Sequence, residues 1–131
     1  LHAPSTAENY HLVDASALSR MRDGVILVNT ARGALVDTEA LIQGLESGKV
    51  GHAALDVLED EAGLYYANRM GDVIVNRQMA VLRSFPNVIL SPHTAFYTEN
   101  VVWNMAYKTF KGVRDMMTHT ENPLVILPSL L

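Results

Sequence analysis

At 131 residues and 49% hydrophobic content, the chain suits one globular domain with a buried core, and a net charge of −4 without basic clusters excludes a nucleic-acid groove. No apolar run approaches the roughly 18 residues of a spanning helix, so no membrane partner is expected. The lack of cysteine excludes disulfide scaffolds and thiolate metal sites; no metal is expected, no signal-like start occurs, and the expected compartment is the cytoplasm.

In chain order, Leu1 followed by His2, Ala3 and Pro4 reads as the last residue of a strand, so the sequence is expected to be a piece of a longer chain. Asp14 is placed to cap a short helix over residues 15–21. After an Asp23-Gly24 turn, Val25, Ile26, Leu27 and Val28 form a continuous apolar run suited to a strand buried on both faces. Residues 29–36 are a loop. Asp37 or Thr38 caps the next helix, with Glu39 favourable in its first turn, Leu41 and Leu45 on one face and Gly48 as its stop.

The second apolar strand spans residues 50–57, where Gly51, Ala53 and Ala54 would let a helix pack close, and it ends in "DVLEDE". Residues 62–86 interrupt the alternation with a Gly-started turn, Tyr65 and Tyr66, a short apolar patch at 73–75 and a helix at 78–83. A further strand follows at 88–90. Residues 99–117 have helical spacing, with Val102, Met105, Ala106, Phe110, Val113 and Met117 near one stripe. Asn122-Pro123 closes the regular region, and an apolar tail occupies 124–131.

Strands alternating with helices through short links predict a parallel sheet with right-handed crossovers, which binds ligands at the carboxyl ends of its strands. "HAPS", "NTARG", "LDVLEDE" and "SPHTAF" each follow a strand, so all four fall on that edge. Arg32 sits in a small loop where its planar fork suits a carboxylate and a neighbouring carbonyl, although a surface arginine would look the same. Asp56 and Glu61 read equally as a solvated acidic run. A lone histidine at a strand exit is ordinarily structural; a carboxylate beside His93 would fix its tautomer and favour imidazolium, which suits proton transfer near neutral pH. Tyr65, Tyr66, Phe96 and Tyr97 fit either a pocket lining or core.

Together, "LHAPSTAENYHLVD", "RDGVILVNTARGALVDTEAL", "AALDVLEDE" and "SPHTAFYT" resemble, in order, the downstream half of the NAD-dependent D-2-hydroxyacid dehydrogenases. The stretch from Gly63 to Thr98 stands where the phosphoglycerate and glycerate branches carry a short Glu-Pro turn, so the likeness is to the D-lactate and D-2-hydroxyisocaproate branch. It implies an α/β fold, the second half of a Rossmann-like doubly wound parallel sheet plus a long C-terminal helix. Residues 1–95 would form the C-terminal half of the NAD-binding domain, with an excursion at 62–86, and residues 96–131 a helix and tail returning to the substrate domain.

The resemblance further implies an oxidoreductase that reduces a 2-oxo acid to a D-2-hydroxy acid with NADH, as a homodimer. The family's catalytic residues fall on Arg32, which would bind the oxo acid, His93, which would exchange the proton, and Glu61, which would hold His93 charged. Its NAD contacts fall on Ala3, Pro4, Asn9, Thr30, Ala31, Arg32 and Asp56. The glycine-rich phosphate turn would lie upstream of Leu1, and no G-x-G-x-x-G occurs here. Taken alone, the 131 residues are therefore expected neither to bind NAD tightly nor to turn over. An NAD-responsive, corepressor-like module on the same fold, or an inactive remnant, would share these motifs.

Overall fold

In the computed structural model, which describes residues 1–65, 68, 70–73 and 75–122, three parallel strands lie in chain order: β1 (Val25–Asn29), β2 (Val50–Leu55) and β3 (Val88–Leu90). Between them run α1 (Ala15–Arg20), α2 (Thr38–Glu46) and α3 (Arg77–Ser84). α4 (Glu99–Met117) follows the sheet. The chain divides into two compact units, Leu1–Ala95 and Phe96–Leu131. Tyr66, part of the 73–75 patch, Pro123 and the apolar tail lie outside the described residues.

Each helix starts where a short polar side chain accepts an orphan backbone N–H. Asp14 Oδ1 accepts from Ala17 N at 2.7 Å, Asp37 Oδ1 from Ala40 N at 3.0 Å and Asn76 Oδ1 from Met79 N at 2.8 Å. Asp37, not Thr38, is thus the cap of α2, and Gly48 turns the chain beyond it with φ 76°.

α2 packs on β2 and α3 on β3, and α2 touches both α1 and α3, so the helices of the first unit form one connected layer. Leu18, Leu27, Leu35, Leu41, Leu45, Val50, Leu55 and Leu82 are buried there. Each fully buried leucine contributes about 1.5–3 kcal/mol.

β1 departs from the expectation of burial on both faces. Leu27 and Asn29 are buried, but Ile26 and Val28 are 64% and 47% exposed, and Ile89 of β3 is exposed with them. An apolar run cannot by itself report how many faces are covered, and here the helices of the first unit leave Ile26 and Val28 uncovered. Gly51 also differs from expectation: its Cα faces the backbone of Gly24, so the small residue serves the 23–24 turn. The close helix approach comes instead from Gly44 of α2, against Val50 and Leu18. Leu1 N donates to Val28 O at 2.6 Å, which sets the first residues alongside β1.

In the second unit, Thr98 caps α4 and Glu99 follows in the first turn. Trp103 stacks on Tyr107 one turn later, and Met105, Phe110, Val113 and Met117 are exposed. Near its end Asp115 accepts from Lys111 Nζ at 2.6 Å and Arg114 Nη2 at 3.0 Å. Among the described residues, no helix is long and apolar enough to cross a membrane.

Candidate active site

The register makes the three strands end together: Asn29 pairs with Leu55, and Leu55 with Leu90. Backbone bonds carry this alignment past the sheet, from Asp56 N to Asn29 O (2.9 Å), Ser91 N to Leu55 O (3.0 Å) and His93 N to Asp56 O (2.8 Å). The segments holding Arg32, Glu61 and His93 all depart from this one edge.

His93 and Glu61 are in direct contact, Nδ1 to Oε1, at 2.7 Å, with side chains about three-quarters buried. The second oxygen of Glu61 accepts from Leu58 N at 2.9 Å, so the carboxylate is fixed by its own turn while it addresses the imidazole. Both turns need the left-handed backbone, with φ 53° at His93 and at Asp60. For non-glycine residues that conformation persists only where the surroundings over-determine it.

Asp56 is the main restraint on His93. Its buried carboxylate accepts from Ser91 Oγ at 2.5 Å and Thr94 N at 2.8 Å on Oδ1, and from Ala95 N at 2.8 Å on Oδ2. Burial pushes this carboxyl up, but the bonds from Ser91, Ala95 and Thr94, with the nearby imidazole, outweigh it and hold it below the ordinary carboxylate range. Asp56 thus braces the turn that carries His93.

Asn29 shapes the Arg32 loop. Its Nδ2 donates to Arg32 O at 2.9 Å and its Oδ1 accepts from Ala31 N at 3.1 Å. Ala31 is buried by this, whereas Thr30 and Arg32 are exposed, and Arg32 Nη1 donates to Ala31 O at 2.7 Å. Gly33 then lies so close to Leu58 that a Cβ would overlap its carbonyl group, which is backbone and cannot swing aside. Gly33→Ala is expected to destabilise the protein by about 1–3 kcal/mol and to displace the Arg32 and Glu61 turns together, read by urea denaturation; an unchanged midpoint would remove Gly33 as the interlock.

A cavity of about 360 Å³ opens beside the interlock, lined by Ser5, Tyr10, Arg32, Glu59, Glu61 and Ala62 among others. Ser5 brings the 2–5 segment to the Arg32 loop, with Ala3 partly buried and Pro4 exposed. Asn9 is engaged inside its own turn, Nδ2 to Pro4 O at 2.7 Å and Oδ1 from Thr6 N at 2.8 Å. Asn29, His11 and Glu59 were not singled out by the sequence. An Asn directly after an apolar run and before a Gly-containing loop was the available signal for Asn29; the His11–Glu59 contact joins residues 48 positions apart and left none. Among the described residues, no group of His, Asp and Glu is arranged to hold a metal ion.

A parallel half-sheet with polar turns gathered at its carboxyl edge defines an α/β domain of the dinucleotide-binding class. Residues 1–95 match the family described as D-isomer specific 2-hydroxyacid dehydrogenase, NAD binding domain, and the chain belongs to that family. It is 46% identical over 115 residues to an aromatic 2-oxoacid reductase of Clostridium sporogenes, covering 88% of this chain and 35% of that protein.

Among solved structures it resembles a D-lactate dehydrogenase from Treponema pallidum (TM-score 0.90, 35% identity, 97% of this chain and 39% of that one). It also resembles the NAD-complexed D-isomer specific 2-hydroxyacid dehydrogenase from Lactobacillus delbrueckii ssp. bulgaricus (TM-score 0.90, 30% identity, 97% and 39%). The Rossmann-like half-sheet expected from the sequence is borne out. The chain spans a little over a third of the length of these relatives.

Proposed function

We propose that this chain supplies the acid/base and oxo-acid-binding side of an NAD-dependent dehydrogenase that reduces a 2-oxo acid to the D-2-hydroxy acid, D-lactate dehydrogenase-like in type. The observation that carries it is the 2.7 Å contact of His93 Nδ1 with Glu61 Oε1 on the edge that also presents Arg32. The donors there fit the nicotinamide end of the cofactor: an exposed guanidinium, an exposed Thr30 hydroxyl and the 2–5 segment share one edge. When bound, NADH supplies the reducing equivalent.

With Nδ1 directed at Glu61, the proton given to the substrate carbonyl leaves from His93 Nε2, and the Glu61 carboxylate stabilises the imidazolium until that transfer. In the reverse direction neutral His93 takes the hydroxyl proton at the same atom. Arg32 binds the substrate carboxylate and carbonyl with two parallel donors, fixing the face of the carbonyl presented. The family resemblance supports a homodimer in the cytoplasm.

A panel of 2-oxo acids tested with NADH and NADPH on a protein of full family length bearing this segment checks the reading; no turnover of any 2-oxo acid overturns it. In that protein, Arg32→Lys keeps the charge and loses the fork. Its KM for the oxo acid is expected to rise about tenfold or more, with NADH affinity within about twofold. An unaltered kcat/KM would remove Arg32 from the substrate.

A further inference from the structure

His11, Thr38 and Glu59 form a polar cluster that the proposed chemistry leaves unused. Glu59 Oε1 lies 2.6 Å from His11 Nε2, while Oε2 accepts from Thr38 N at 2.8 Å and Thr38 Oγ1 at 2.6 Å. Thus both carboxylate oxygens are engaged, at a side chain only 16% exposed. His11 is gripped from its own side as well. Its N–H donates to Ala34 O at 2.9 Å, its φ is 52°, and Tyr10 stacks on its ring with centroids 3.9 Å apart.

The groups facing His11 are Glu59 from the 58–61 turn, Asp37 from the start of α2 at 3.6 Å, and the Tyr10 ring from its own segment. Glu61 and Asp56 also face His93. Burial pushes the Glu59 carboxyl up, but Thr38 and His11 outweigh it, so it stays below the ordinary value.

Glu59 stands two residues before Glu61. The intervening Asp60 takes a left-handed backbone, and Leu58 N closes the turn onto Glu61 Oε2 at 2.9 Å. A turn this short transmits a displacement of Glu59 to Glu61, whose remaining oxygen meets His93. We propose that His11 is a positioning residue: acting through Glu59, it holds the 58–61 turn so that Glu61 meets His93. This rests on the assignment of His93 and Glu61 made above.

The test uses a protein of full family length bearing this segment, with pyruvate and NADH, and kcat and KM measured separately. His11→Ala is expected to lower kcat about tenfold, with the KM for pyruvate and the NADH Kd within about twofold, and His11→Gln, whose side-chain amide can still donate to Glu59, is expected to recover most of that loss. His11→Leu fills the same space without a donor and gives the same readout where His11→Ala is unstable.

Wild-type kcat in both His11→Ala and His11→Leu, beside an inactive His93→Ala control, overturns this inference alone. Normal turnover by the His93→Ala control overturns the assignment of the site itself.

Discussion

His93→Ala, made in a protein of full family length, is expected to lower kcat for 2-oxo acid reduction by about two to four orders of magnitude, with NADH affinity nearly unchanged. The size follows from what is removed. A positioned imidazolium is replaced by water, whose proton must come without the 2.7 Å partner that keeps His93 oriented. Glu61→Gln should fall between: the amide can still hold the ring, but it no longer stabilises the positive charge. The order wild type, Glu61→Gln, His93→Ala in kcat is the signature of an acid supported by a carboxylate. Near-normal kcat in His93→Ala removes the proton-transfer role whatever the distances suggest.

The sequence carried the fold well because its signals were local. Asp14 and Asp37 each precede a helix that begins one residue later, and "VILV" and "VIL" stand between turn residues. Ile26 and Val28 show where this ends: whether an apolar side chain is covered depends on what packs on the sheet, and no local pattern states that. The common edge of Arg32, Glu61 and His93 was legible for a similar reason. Parallel strands all point the same way, so whatever follows each strand is gathered at one end.

Roles set by hydrogen bonds across many residues were not legible. Asp56 reaches Ser91 over 35 positions and His11 reaches Glu59 over 48, and only folded geometry joins them. The sequence placed Asp56 correctly at the edge but had no means of turning its carboxylate inward.

That inward carboxylate gives the second large expected effect. Asp56→Ala removes the acceptors of Ser91 Oγ, Thr94 N and Ala95 N at once. Stability should fall by about 3 kcal/mol, allowing for partial rehydration of Thr94 and Ala95. Turnover should fall about a hundredfold, because the turn that holds His93 loosens. Asp56→Asn is the sharper variant: its oxygen can keep Ser91 and Thr94, but its amide then faces the Ala95 N–H, donor against donor. It should therefore lose less stability than Asp56→Ala.

The pH dependence separates this clamp from simple loss of packing. The folded carboxyl of Asp56 is depressed, so its stabilisation is complete above the unfolded value of about 3.9 and is lost as pH falls through the folded one. The stability gap between wild type and Asp56→Ala, measured by urea denaturation, should accordingly be largest near neutral pH. It should narrow only in strong acid. A gap that stays constant down to that range would mean that Asp56 acts by its volume, and the charged clamp on the His93 turn would have to be abandoned.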